Sequence, residues 1–425
     1  MPSLSSDRSQ EPVIPSTEPE KGQQTDGLEP NQDRSGKHEV IVLVGTRPEA
    51  IKMAPVVREL KNSEHLYPFL LSSGQHRELL DQALAPFGLK PDLDLRLMQP
   101  NQSLADLTAR ALSAIHNVLL ERKPAAILIQ GDTTTVLAGA LAATYAKIPV
   151  GHVEAGLRTH DLYAPFPEEM NRRLTAPLCR WLFAPTQATK QNLIKENIDE
   201  CSISITGNTV VDALFWMRDQ ILASRKLSTA RFQEMGLSER FNSLHQSHSS
   251  LPGQGLVLIT GHRRENFGDG MMSICSAISQ LAALYPTIPF VYPVHLNPNV
   301  KTPVSRELGG LSNVFLIPPV DYESFLFLMM HSSILLSDSG GVQEEAPSLG
   351  KPVLVMREKT ERPEGVEAGT CVLVGTDPNK IILEASRLLS DRDEYARRSS
   401  IRNPYGDGHA SRRIREILES SLNAP

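Results

Sequence analysis

The chain has 425 residues, 40% of them hydrophobic, which suits two domains of ordinary size. A formal net charge of −6 without a long basic run argues against a nucleic-acid partner, and no apolar stretch approaches the roughly 20 residues that span a bilayer. Cys179, Cys201, Cys275 and Cys371 lie far apart with no CxxC, which fits a reducing cytoplasm and argues against a cysteine-rich metal site; the N-terminus carries no apolar signal core.

Residues 1–37 are rich in Ser, Pro, Glu, Gln and Asp and nearly devoid of large apolar residues. Such a segment cannot bury enough surface to offset its ordering entropy, so a disordered polar tail is expected. Glu39–Val44 reads as a fully buried strand from its β-branched run. Gly45-Thr46-Arg47-Pro48-Glu49 follows, with Pro48 suited to the first turn of a helix running on from Ala50 to Leu60. This is neither a Walker loop nor GxGxxG, so neither an ATPase nor a dinucleotide enzyme is supported. Arg47 and Lys52 stand where open α/β sheets bind ligands, although taken alone they read better as surface cations.

Phe69–Leu71 is the next strand, followed by Gln75, His76, Arg77 and a helix to Ala85. Leu104–Leu120 has helical apolar spacing. Ala125–Ile129 is a third strand ending in Gln130-Gly131-Asp132-Thr133, where Asp132 reads as an N-cap or as a site carboxylate. Glu154 sits among apolar residues at the end of the next strand, an unusual place for a carboxylate. Pro167-Glu168-Glu169 then opens a helix carrying Asn171, Arg172 and Arg173. Asp132, Glu154 and Glu168 are thus expected on three successive loops of one sheet edge. A crossover near Gly207 leads to a second half, from about 208 to 408, and Leu227–Gly253 reads as a polar, irregular, mobile insertion with a helical piece.

The second half opens with Leu256–Thr260 and Gly261-His262-Arg263-Arg264, followed by Phe290–Val294 and His295. Ile334–Leu336, a Ser337-Asp338-Ser339-Gly340-Gly341 turn and a short helix make an anion site, because the first N–H groups of a helix lack internal partners. Glu344 or Glu345 is expected in the first turn, able to accept hydrogen bonds from a sugar diol. A final helix of about 411–422, within 409–425, is expected to pack back on the first half. His152, His262, His295 and His331 fall on different elements without HExxH or HxH, so no metal is expected.

Taken in order, GTRPEAIKMAP, GDTTT, HVEAGLRT, PFPEEMNR, TGNTVVDAL, TGHRREN, YPVHLNPN, SDSGGVQEEAPSLGKPVLVMR and ERPE resemble the non-hydrolysing UDP-N-acetylglucosamine 2-epimerases. The resemblance runs from about Glu39 to the C-terminal helix. It implies a GT-B-type α/β fold, two doubly wound Rossmann-like domains with the site between them, a homodimer, and no cofactor. The implied substrates are UDP-GlcNAc and UDP-ManNAc, interconverted by eliminating and re-adding UDP through 2-acetamidoglucal, for surface polysaccharide. By motif, Arg47, Lys52 and Arg362 resemble the nucleotide-site cations and His262 the contact to the phosphate region, grouped with the catalytic residues. Ser339, Gly340 and Gly341 resemble the diphosphate cradle, Glu345 the ribose ligand, and Phe325 the surface packed on uracil. Asp132, Glu154 and Glu168 resemble the catalytic carboxylates; the preference for Glu168 over Glu169 rests on the PEE alignment. Gln130 stands where family members often carry His, and no role is assigned to it. Gln75, His76, Arg77, Arg263 and His295 lie on loops that form an activating UDP-GlcNAc site in some bacterial members. A hydrolysing epimerase, a GT-B glycosyltransferase and a non-catalytic sensor are the competing readings.

Overall fold

The computed structural model describes residues 36–74, 77–99, 102–224, 229–237, 239–248 and 255–423. Its first half contains β1 (His38–Val44), α1 (Arg47–Lys61), β2 (Leu66–Ser72), α2 (Arg77–Leu84), β3 (Leu93–Asp94), α3 (Leu104–Arg122) and β4 (Ala126–Gln130). It continues with α4 (Thr134–Tyr145), β5 (Val150–Val153), α5 (Glu168–Thr175), β6 (Trp181–Ala184), α6 (Gln187–Lys195) and β7 (Ile203–Ile205). Three helices then lead across: α7 (Thr209–Ala223), α8 (Thr229–Glu234) and α9 (Glu239–His248). The second half holds β8 (Leu256–Thr260), α10 (Asp269–Leu284), β9 (Phe290–Pro293), α11 (Pro298–Leu308), β10 (Val314–Ile317), α12 (Tyr322–His331) and β11 (Ser332–Ser337). After these come α13 (Gly340–Glu345), β12 (Val353–Val355), α14 (Pro363–Ala368), β13 (Cys371–Leu373), α15 (Pro378–Ser390), α16 (Arg392–Ser399) and α17 (Ala410–Leu422).

The strands form two sheets, in the orders β3-β2-β1-β4-β5-β6-β7 and β10-β9-β8-β11-β12-β13, with all pairs parallel. Helices cover both faces, which is why Val40–Val44 of β1, Ala126–Ile129 of β4 and Ile334–Leu336 of β11 are continuous buried apolar runs rather than alternating. This is the expected two-domain α/β, GT-B-type architecture. Strand order reverses between β1 and β4 and again between β8 and β11. Ligands of doubly wound sheets bind outside the carboxyl ends at such switch points. The loops there carry Gly45–Thr46 and Gly131–Thr133 in the first sheet, and Gly261–Arg263 and Asp338–Ser339 in the second.

The halves share apolar packing. Ala213, Leu214, Met217 and Ile221 of α7 belong to one buried cluster with Val40 and Val57 of the first half and Leu256 and Leu335 of the second. Helix α7 packs against α1 and α17 on one side and α12 and α13 on the other. The chain returns through 403–409, beside its outward crossing: Asn208 N donates to Tyr405 O at 2.7 Å. Helix α17 is fixed there by Asp212, whose carboxylate accepts from Ala410 N and Ser411 N, and by Trp181 Nε1 donating to Ser421 Oγ at 3.0 Å.

The structure corrects three local expectations. The insertion holds more than the one helical piece expected where it is described: Phe232 of α8, Phe241 of α9 and Leu237 between the two helices are buried in a packed cluster, with the Phe232 ring 4.8 Å from Phe241 and 4.9 Å from Phe327. Its few large residues are spaced to face one cluster, which average polarity hides. Strand β3 was not anticipated, because two residues carry no periodicity. Helix α13 starts at Gly340, so Glu344 and Glu345 stand in its last turn, away from the positive end of the dipole. The expected polar tail lies outside the described residues except for 36 and 37. Among the described residues no helix is long and apolar enough to cross a membrane.

Candidate active site

On the first half, Thr46 caps α1 in a capping box with Glu49, with Pro48 in the first turn. The buried Glu49 also accepts from Gly45 N at 2.6 Å, Thr46 N at 2.7 Å and Thr133 Oγ1 at 2.6 Å, so it ties the β1 and β4 loops together. Burial raises its pKa against those donors. A side chain on Gly45 would sit 2.6 Å from Ser73 Oγ, so glycine is required where the loops converge. Thr133, not Asp132, caps α4 through Val136 N. Asp132 instead accepts from Arg172 Nη2 at 2.7 Å and Nε at 2.9 Å. The expectation of an Asp132 cap is therefore corrected, and its carboxylate faces α5.

Glu154 follows β5 with φ +64°, left-handed backbone that non-glycine residues adopt rarely and at a cost of roughly 1–3 kcal/mol. Its carboxylate is 4% exposed and accepts from Lys52 Nζ at 2.7 Å to each oxygen, from Asn208 Nδ2 at 3.2 Å and from Gln130 Nε2. Glu168 and Glu154 share the β5–α5 connection, so the three carboxylates occupy two loops rather than the three expected. Glu169 is fully buried and committed to Arg172 at 3.0 Å, Arg173 at 3.3 Å and the N–H groups of Thr159 and His160. Glu168 is half-buried, and its Oε2 is buried without a hydrogen-bond partner. Of the PEE pair, Glu169 is thus committed to arginine and backbone partners, whereas one Glu168 oxygen has none. His152 donates from Nε2 to Gly131 O, 2.7 Å away; burial lowers its pKa to about 4, marking it as a neutral structural histidine.

On the second half, Asp338 is fully buried and its Oδ2 accepts from His262 N and Arg263 N, both at 2.8 Å, and from Asn266. It thereby joins the β8 loop to the β11 loop. His262 lies with Nδ1 3.5 Å from Asp338 Oδ1 and stacks on His295 at 5.6 Å. Desolvation lowers its pKa against Asp338, with Arg263 and His295 acting in the same direction as desolvation. Ser339 precedes α13 in extended conformation without a side-chain cap, followed by Gly340 and Gly341. The Arg362 guanidinium lies directly on Gly340, where a Cβ would sit 2.5 Å from Nη1, whereas the space at Gly341 is more open. Phe325 is half-buried on α12, three residues after Tyr322, whose hydroxyl donates to Glu345 at 2.7 Å. Burial raises the Glu345 pKa to about 7.

One ion network joins the halves. Lys52 Nζ lies 2.7 Å from Glu154 and 3.3 Å from Glu344, and Glu344 accepts from Arg362 Nε at 2.7 Å. Burial alone would lower the Lys52 pKa, but Glu154 and Glu344 raise it overall. The result is a cleft with carboxylates on the first half, cations in the middle and a small-residue turn on the second. Arg47 is half-buried and near enough to influence Tyr322 across the cleft.

Arg263 is half-buried with an unpartnered Nε and lines a cavity of about 520 Å³ with Arg158, His160, Arg357 and Glu361. His295 is exposed beside His262. Gln75 and His76 lie outside the described residues, and Arg77 begins α2. No cluster of three or more metal-ligating side chains occurs among the described residues. Gln130, Asn208 and Tyr322 join the site without having been singled out as site residues, and Glu344, expected only as an alternative to Glu345 at a sugar diol, instead pairs with Lys52 and Arg362. Asn208 was legible as a helix cap, but its contact with a residue 54 positions away was not.

The family model of UDP-N-acetylglucosamine 2-epimerase matches residues 58–419. The UDP-N-acetylglucosamine 2-epimerase of Escherichia coli K12 is 52% identical over 382 residues, covering 90% of this chain and 98% of that protein. The Salmonella typhimurium enzyme of the same name is 51% identical over 381 residues, with the same coverage. Among solved structures, the UDP-GlcNAc 2-epimerase of Neisseria meningitidis bound to UDP-GlcNAc superposes with a TM-score of 0.81 at 47% identity, covering 90% of this chain and all of that one. The Methanocaldococcus jannaschii UDP-GlcNAc 2-epimerase in complex with UDP-GlcNAc and UDP gives a TM-score of 0.71 at 33% identity, covering 90% and 99% of the two chains.

Proposed function

The chain belongs to the UDP-N-acetylglucosamine 2-epimerase family, and on that premise we propose that it interconverts UDP-GlcNAc and UDP-ManNAc without net hydrolysis. The observation that carries the reading is the network in which Glu154 of the first half meets Lys52, Lys52 meets Glu344, and Glu344 meets Arg362 beside the Ser339–Gly341 turn of the second half, with Asp132 and Glu168 on neighbouring loops of the first half.

C2 of the sugar has no adjacent carbonyl, so its proton is very weakly acidic. Elimination avoids that difficulty. A carboxylate takes the C2 proton, the C2–H electron pair becomes the C1–C2 double bond, and the C1–O pair leaves with UDP. Re-addition of UDP with protonation on the opposite face gives the epimer, so no electrons are gained or lost overall. Lys52 and Arg362 offset the charge that develops on the leaving diphosphate. The free oxygen of Glu168 suits a proton carrier, and the clamped Glu154 suits a base or acid of fixed position. His262 stands at the phosphate side, and Glu345 and Phe325 at the ribose and uracil side.

The same reading includes a cytoplasmic homodimer, a supply of ManNAc-type sugar for surface polysaccharide, and a second, activating UDP-GlcNAc site near Arg263 and His295. Incubation with UDP-GlcNAc in deuterated water, followed by NMR, tests the central claim. UDP-ManNAc deuterated at C2 is expected. Free ManNAc accumulating in step with UDP would establish the hydrolysing alternative, and bound substrate with no exchange at C2 would establish a sensor. Light scattering at the mass of one 46.8 kDa chain would remove the dimer.

A further inference from the structure

We propose that Asn208 is a positioning residue for Glu154, coupling that carboxylate to the point where the chain passes between the halves. The inference rests on reading Glu154 as one of the reacting carboxylates.

Asn208 is 2% exposed and its polar groups reach three places in the fold. Its Oδ1 accepts from Val210 N at 3.0 Å, capping α7. Its Nδ2 donates to Glu154 Oε1 at 3.2 Å. Its backbone N donates to Tyr405 O at 2.7 Å on the returning segment. The amide orientation follows from these partners, since the cap needs an acceptor and the carboxylate needs a donor. Tyr405 in turn donates its hydroxyl to Arg362 O and accepts from Gly365 N, both at 3.0 Å. The two crossings touch here: a Cβ on Gly207 would lie 3.3 Å from Gly406 Cα.

The donors to Glu154 divide by charge. Lys52, on α1, is shared with Glu344 on α13, and Arg362 stands beyond Glu344. Both cations are also those that face a diphosphate at the Gly340–Gly341 turn. A diphosphate entering there competes for them, which leaves Gln130 and Asn208 as the neutral donors that hold Glu154. Gln130 belongs to the first sheet alone, whereas Asn208 is built into the crossing. A shift of one half against the other is therefore felt at Glu154 through Asn208. Because Glu154 sits in left-handed backbone on a turn, its side-chain position depends on such partners.

Two substitutions separate positioning from capping. Serine and aspartate cap helices about as well as asparagine. Asn208→Ser keeps the cap but is too short to reach Glu154, and Asn208→Asp keeps the cap but turns a carboxylate toward Glu154. Per folded protein, Asn208→Ser is expected to lower kcat about tenfold with KM for UDP-GlcNAc within about twofold, since misplacement by about 1 Å can cost up to 10²-fold. Asn208→Asp is expected to lower kcat further, because it replaces a donor to Glu154 by a second carboxylate that repels it. Asn208→Ala loses both roles and serves to measure the cap through Tm. Wild-type kcat and KM in both capping variants, with Asn208→Ala affecting Tm alone, would overturn the proposal and leave Asn208 a cap. Glu154→Gln is run beside them: if it loses turnover while Asn208→Ser does not, the positioning role alone fails, and if it keeps turnover, both readings fail.

Discussion

Replacing Glu168 by glutamine isolates chemistry from folding more cleanly than the other carboxylates allow. The side chain is half-buried, and its Oε2 is sealed from solvent without a partner. Neutralising it breaks no ion pair among the described residues, and an unsatisfied charged oxygen costs more to bury than an amide. Stability should hold within about 1 kcal/mol or rise, a Tm change of at most about 2–4 °C. Turnover should fall about 10²–10⁴-fold, which is about 2.7–5.5 kcal/mol of barrier. Asp132→Asn gives the contrast. It weakens two charge-assisted bonds from Arg172, at 2.7 and 2.9 Å, costing about 1.5–3 kcal/mol. Loss of turnover in that variant is therefore mixed with loss of folded protein, but in Glu168→Gln it is not. The assay is NMR-detected formation of UDP-ManNAc in deuterated water, with UDP affinity by calorimetry and Tm on the same samples. Glu168→Gln turnover within threefold of wild type, or a loss accounted for by a fall in Tm, would refute the reasoning. Exchange at C2 that survives while epimerisation stops would assign Glu168 to the face opposite the one first deprotonated.

Lys52→Met leaves Glu154 and Glu344 with a buried cation missing, and should cost up to about 3–5 kcal/mol of stability and at least tenfold in UDP affinity. Adding Glu154→Gln, with Glu344 still paired to Arg362, should restore most of the Tm but not affinity; recovery of both would show that Lys52 has no diphosphate role. UDP should compact the molecule in X-ray scattering, because Lys52 and the Ser339–Gly341 turn lie on opposite halves and a ligand held by both favours the closed state; an unchanged radius of gyration at saturating UDP counts against it. Two buried groups should give opposite pH slopes. His152, lowered from 6.5 to about 4, stays neutral when folded while the unfolded chain takes up a proton, so it makes stability fall by about 2 kcal/mol from pH 7 to pH 5. Glu345, raised from 4.5 to about 7, holds its proton when folded, so stability falls by a similar roughly 2 kcal/mol as pH rises from 5 to 7. Urea unfolding of Glu345→Gln should therefore show a steeper gain with pH than wild type, and His152→Gln a loss with pH; parallel curves would refute both assignments. Ionised Glu345 is also the better acceptor for a ribose diol, so wild-type UDP affinity should rise through pH 7.

Much of this protein is legible along the chain. The apolar runs Val40–Val44, Ile127–Ile129 and Ile334–Leu336 dictate buried parallel strands, since only a sheet covered on both faces hides continuous hydrophobic segments. Loops of small and charged residues at their carboxyl ends locate the cleft, and the ordered motifs identify the family. Pro48 marks the first turn of α1 from the sequence alone, and the Thr46–Glu49 capping box that starts the helix is likewise a contact within a single turn. What tertiary structure decided is which polar group each of those residues meets. Asp132 was equally a cap or a site carboxylate until Thr133 took the cap and Arg172, 40 residues on, took Asp132. Glu168 and Glu169 are indistinguishable by type and spacing, yet Glu169 is sealed into a buried arginine pair while Glu168 keeps a free oxygen. Lys52 meets Glu154 across 102 residues and Glu344 across 292. A side chain's pairing is set by directions in space once sheets and helices have packed, and nothing in a residue's own neighbourhood encodes a partner that folding brings from the other half.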